Sequence, residues 1–72
     1  MNYYDLLEEK AKLGFDELLA YLQTDKNLLC TIEFNDNDHT TSIEIETWDE
    51  ENYNSEFLTS FEFNNKTGKL LD

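Results

Sequence analysis

The sequence predicts an α+β domain in which one N-terminal helix packs on a three- or four-stranded antiparallel meander. Apolar residues recur every three or four positions through the first third of the chain and every second position thereafter. Clusters of Asn, Asp and Gly separate the alternating stretches, as turns between neighbouring strands require. A length of 72 residues allows a single domain, residues 1–72. Leu, Ile, Val and Phe make up 19 of those residues, or 26 %. Disorder sets in below roughly 20 % at high net charge, so the chain is expected to fold around one thin core.

The helix is expected over residues 3–23. Tyr4, Leu7, Ala11, Phe15, Leu18 and Leu22 fall in one stripe at 100° per residue. Asn2 is a candidate N-cap, and Asp5 and Glu8 lie where the positive end of the helix dipole favours them. Gly14 costs about 1 kcal/mol relative to Ala in a helix interior and admits a break into two helices. The stripe keeps phase across it, which favours one continuous helix. Leu6 and Leu13 fall on the opposite side, seven residues apart, either simply exposed or as a seam for a homodimer or partner.

The first strand alternates Leu28, Cys30, Ile32 and Phe34 with Leu29, Thr31, Glu33 and Asn35, the first set facing inward. Asn35-Asp36-Asn37-Asp38 is a turn by composition. The second strand runs from Thr40 to Trp48, with Ile43 and Ile45 inward and Ser42, Glu44, Glu46 and Trp48 outward. An acidic loop spans Asp49 to Asn54. The third strand, Glu56 to Phe63, puts Phe57, Thr59, Phe61 and Phe63 inward and Leu58 outward. After a turn over residues 64–68, Leu70 and Leu71 are candidates for a short fourth strand. The expected core is Leu18, Leu22, Ile32, Phe34, Ile43, Ile45, Phe57 and Phe61.

Charge narrows the possible functions. The formal net charge is −12, from 17 acids against five lysines and no arginine. Direct binding to nucleic acid or to an anionic membrane requires the opposite sign. No apolar run approaches the roughly 18 residues of a membrane span, and the N-terminus has no basic region preceding an apolar one. A single cysteine forms neither an internal disulfide nor a zinc site, and the cytoplasm is the expected compartment. One histidine, two glycines and no phosphate-cradling loop argue against an enzyme and against a cofactor. Asn35 to Glu46 has the length of a calcium loop. Its sixth position is Thr40 where Gly is needed, so a hairpin turn is the better reading and no metal is expected. His39 has no partner near it in sequence for metal or nucleophile chemistry, and Cys30 reads as a small buried hydrophobe.

The acids are concentrated. Residues 27–65 contain ten of them and no Lys or Arg, whereas residues 1–26 carry −3 and residues 66–72 carry +1. Alternation sends Glu33, Glu44, Glu46 and Glu62 to the face away from the helix. Asp36, Asp38, Asp49, Glu50 and Glu51 extend the charge along the loops. Solubility and protection of strand edges account for some of these carboxylates. Complete absence of a cation over 39 residues points further, to imitation of a phosphate row that occupies a basic groove. Trp48 shares that face beside Tyr53 and has two readings, a residue turned inward by a strand bend or bulge to close the edge of the core, and an interface anchor.

The expected function is a non-enzymatic acidic inhibitor of a basic, nucleic-acid-binding protein. Anti-CRISPR and anti-restriction proteins of phages and mobile elements belong to that class. The analogy is one of size and charge, and no motif carries it. Two alternatives are an immunity protein or antitoxin that neutralises a basic toxin, and a small structural or regulatory subunit.

Overall fold

The computed structural model describes residues 3–71, so the Asn2 cap lies outside the described residues. Helices α1 (Tyr3–Leu13) and α2 (Phe15–Thr24) precede strands β1 (Leu28–Asn35), β2 (Thr40–Asp49) and β3 (Asn54–Asn64). The strands form one antiparallel sheet in the order β1-β2-β3, with α1 packing toward β3 and α2 toward β1. The architecture is α+β with a meander sheet. Its helical part differs from the single helix expected over 3–23.

Gly14 divides the helix because its φ is +129°, a conformation closed to the right-handed helix and rare for any L side chain. Its N–H donates to the Ala11 carbonyl at 3.0 Å, its own carbonyl accepts from Leu18 at 3.1 Å, and Phe15 N–H donates to the Gly68 carbonyl at 2.8 Å. The bend thus gives the first free N–H of α2 an acceptor from the C-terminal segment. The apolar stripe keeps phase across the bend because both helices lie on the same sheet face. Leu7, Ala11, Leu18 and Leu22 are all buried, whereas Tyr4, the first residue of the expected stripe, is exposed.

One turn motif recurs at the three strand ends. Asn35 Oδ1 accepts from the N–H groups of Asn37 and Asp38, Asp49 Oδ1 from those of Glu51 and Asn52, and Asn64 Oδ1 from those of Lys66 and Thr67. Four residues after each capping residue the backbone turns left-handed, at His39 (φ 57°), Tyr53 (φ 52°) and Gly68 (φ 73°). Asn and Asp recur here because their side-chain oxygen satisfies the two amides that a tight loop leaves free. The third turn leads to a single bridge between Leu70 and Phe63, so the expected fourth strand is reduced to one pair.

The core consists of Leu7, Ala11, Leu18, Leu22, Leu28, Ile43, Ile45 and Phe63, with Phe15, Tyr21, Ile32, Leu58, Phe61 and Leu70 packed partly against it. Phe15 meets Phe63 edge to face, with ring centroids 5.6 Å apart. Four expectations are corrected. Phe34 is 72 % exposed and Cys30 is exposed as well; on the helix side of β1 only Leu28 is buried, with Ile32 packed partly against the core. Phe57 is 63 % exposed, and Leu58, expected outward, packs against the core in its place. The cause is a register shift. Ile45 pairs with Thr59 but Glu46 pairs with Phe57, so Leu58 is an extra residue in β3. Such a bulge reverses the alternation beyond it and exchanges the faces of Phe57 and Leu58.

Candidate binding face

The outer face of the sheet carries acids from all three strands, while Glu56 of β3 pairs with Thr47 on the helix side, beyond the bulge. Directly opposed residues share a face, so the register sets out its rows: Glu33, Ser42 and Glu62, then Thr31, Glu44 and Ser60, then Leu29, Glu46 and Phe57. Trp48 and Ser55 complete it at the far end. No glutamate stands directly opposite another. Hydroxyl residues occupy the positions between them, and the carboxylates meet only along β2 or on diagonals, at spacings of about 7–8 Å. That arrangement avoids the direct like-charge contact that destabilises a sheet, yet keeps neighbouring carboxylates within one Debye length, about 10 Å at 0.1 M salt.

Glu33, Glu44 and Glu62 are exposed, and none of the face carboxylates is paired with a cation among the described residues. Glu46 is half-buried between Leu29 and Phe57 on its two neighbouring strands. Trp48 is half-buried on the same face, and its N–H donates to the Asn27 carbonyl at 2.8 Å, which extends the β1–β2 ladder by one pair. The face therefore has two halves: a carboxylate lattice toward the 36–39 turn and an apolar end, Leu29, Phe57 and Trp48, toward the 50–53 turn.

The loop acids lie at opposite ends of this face. Asp36 and Asp38 sit exposed in the first turn, where Asp38 accepts from the Asn35 amide at 3.0 Å. Glu50, Glu51 and Tyr53 are exposed in the second, with Tyr53 at 83 %. Asp49 is engaged in its own turn: the Asn52 side-chain amide, together with the backbone N–H groups of Glu51 and Asn52, holds its carboxyl below the ordinary carboxylate range against a weaker opposing effect of desolvation. Asn65 N–H donates to the His39 carbonyl at 3.0 Å, which ties the Lys66-bearing turn to the first hairpin.

Phe57 was not legible as a member of this face. The available signal is the adjacency of Phe57 and Leu58, two large apolar residues in succession where strict alternation allows one. Leu6 is half-buried and Leu13 is 65 % exposed, so the seam expected on α1 is open at only one of its two positions. On the opposite side of the molecule an open groove is lined by Phe15, Phe34, Thr41, Phe63 and Lys66, and the Thr41 hydroxyl donates to Asn65 beneath it.

Among the described residues, no group of His, Cys, Asp and Glu is placed to hold a metal ion, and no helix is long and apolar enough to cross a membrane. The fold and its face define a small α+β domain with one sheet surface given to carboxylates. Neither a family model, nor a curated protein, nor a solved structure matches the chain.

Proposed function

We propose that this chain is a non-enzymatic inhibitor that presents its outer sheet face to the basic, nucleic-acid-binding surface of another protein and excludes nucleic acid from it. The supporting observation is the lattice of Glu33, Glu44, Glu46 and Glu62 on one face without a cation among them. Charges at this spacing on a rigid sheet act as one field, which speeds encounter with a basic surface and makes association salt-sensitive. An anti-defence role in a phage or mobile element, exercised in the host cytoplasm, is the setting this reading favours.

A second reading, an immunity protein or antitoxin directed at one basic toxin, is favoured by the apolar end of the face. Leu29, Phe57 and Trp48 beside Glu46 have no counterpart in a phosphate row, and buried aromatics are what anchor specific protein pairs. A subunit role through Leu6 and Leu13 is the third. The deciding experiment takes the basic partner recovered from the source cell by affinity capture. Under the first reading, double-stranded DNA and this chain exclude each other from the partner. Glu44→Lys with Glu46→Lys then slows association and flattens the salt dependence, while Trp48→Ala acts on dissociation at a cost of about 2 kcal/mol. Simultaneous binding of DNA and this chain to the partner refutes the first reading and leaves the second. Binding indifferent to both sets of substitutions refutes both and leaves the subunit role.

A further inference from the structure

The two edges of the sheet differ. Along β3, Asn64 N–H donates to the Lys69 carbonyl at 2.8 Å and Leu71 N–H to the Glu62 carbonyl at 2.9 Å, so the C-terminal segment covers part of that edge. On β1 the bond from Trp48 N–H to the Asn27 carbonyl sets the parity. Odd-numbered residues pair with β2, and the N–H and C=O groups of Cys30, Ile32 and Phe34 point away from the sheet. No backbone group among the described residues reaches them. Natural proteins protect such an edge with Lys, Pro, a bulge or a covering segment. The sequence LLCTIEFN of β1 has no Lys and no Pro, its register with β2 runs unbroken, and Glu33 is its one charge in a chain of net charge −12. Its helix-side residues form an apolar row, with Cys30 and Phe34 exposed and Ile32 half-buried.

We propose that β1 is an association edge and that its occupant is a second copy of this chain, added antiparallel to make a continuous six-stranded sheet. The strand is self-complementary. With the two-fold axis at Thr31, Cys30 faces Ile32 of the second copy and Leu28 faces Phe34, so apolar residues meet apolar residues. Glu33 faces Leu29 of the second copy. The two Glu33 residues then stand four positions apart along the strands, about 13 Å at 3.3 Å per residue, beyond the Debye length of about 10 Å at 0.1 M salt. Cys30 and Ile32 exchange backbone bonds with their counterparts, and the two-fold closes the assembly with no β1 edge left free. A basic foreign strand fits less well, because β1 offers it a single carboxylate. The outer faces become continuous in the pair, but the inference stands on the strand edge alone and not on the proposed function.

Sedimentation of the full chain at two salt concentrations, about 0.1 M and about 1 M, tests it. Two copies of like net charge repel through the bulk of the molecule, so the dimer fraction should rise with salt. That sign is opposite to the salt response of an acidic protein binding a basic one, which keeps failure of this inference separate from failure of the proposed function. Cys30→Lys with Phe34→Lys, both at exposed positions, should weaken the dimer tenfold or more, while Leu13→Lys on α1 leaves it intact. Thr31→Cys in a Cys30→Ser background should form an interchain disulfide under oxidation, because residues opposed in a non-hydrogen-bonded pair lie about 4.5 Å apart at Cα, within disulfide range. A monomer at both salt concentrations overturns the proposal. So does a dimer that survives Cys30→Lys with Phe34→Lys, or one that Leu13→Lys dissolves.

Discussion

Burial sorts the five phenylalanines into different roles. Phe63 is fully buried, Phe15 and Phe61 are packed partly against the core, and Phe34 and Phe57 are exposed. Phe63→Ala should therefore cost about 3–5 kcal/mol, enough to unfold so small a domain, while Phe57→Ala should stay within roughly 1 kcal/mol. Urea melts of the two variants make the comparison, and a Phe57→Ala loss as large as that of Phe63→Ala would contradict the bulge. At the junction between α2 and β1, Asp25 accepts from the Tyr21 hydroxyl at 3.3 Å and from Asn27 N–H at 2.9 Å. Desolvation, reinforced by the Asp25 carboxylate, raises the phenol pKa of both Tyr3 and Tyr21 above the ordinary 10.0. Because the folded value is the higher one, the contribution to stability is complete below pH 10.0 and is lost as pH rises through the folded pKa. Asp25→Asn should bring tyrosinate absorbance in at lower pH, and an unchanged alkaline titration would show that Asp25 has no part in it.

At the scale of elements, positive φ values determine where the chain turns. Gly14 at +129° divides the helices, and an Ala there is strained whatever the available space. Gly14→Ala should destabilise by about 1–2 kcal/mol, although Ala is the better helix former. Tyr53 presents the reverse case, a bulky side chain held at φ 52° in the second hairpin. Tyr53→Gly should stabilise by roughly 0.5–1 kcal/mol, relief of the left-handed strain outweighing the entropy that glycine loses on folding. Thermal melts should move in opposite directions for the two substitutions, by several degrees each in a chain of this size. A Gly14→Ala variant that melts higher would mean that a continuous helix is accessible after all.

For the whole molecule the dominant quantity is a net charge of −12 over 72 residues. Self-repulsion of that size opposes the compact state, and salt screens it, the Debye length falling from about 10 Å at 0.1 M to about 3 Å at 1 M. Weakly interacting salts should raise the melting temperature over that range. The staggered glutamates reduce the direct terms but not the long-range one, so the increase should be gradual. A flat or falling profile would mean that the carboxylates are too dispersed to interact. Measurement at a protein concentration where the chain is monomeric separates this effect from salt-driven pairing through β1.

The period of the apolar residues was enough, by itself, to determine the α+β class, the meander, the positions of the three strands to within about two residues at each end, and the outward turn of Glu33, Glu44, Glu46 and Glu62. Side-chain direction along a helix or strand is a local property, and periodicity records it. Tertiary structure decided what periodicity cannot carry. A continuous helix and a pair broken at Gly14 share one apolar stripe, and the φ of +129° arises together with the hydrogen bond from Phe15 to Gly68, far away in the chain. One inserted residue at Leu58 reversed the faces beyond it and brought Phe57 beside Glu46, across from Leu29. Cys30 and Phe34 share the helix side of β1 with buried Leu28 and yet are exposed. Alternation tells which face a strand residue occupies. Burial depends on what lies over that face, and only the packing of distant elements supplies it.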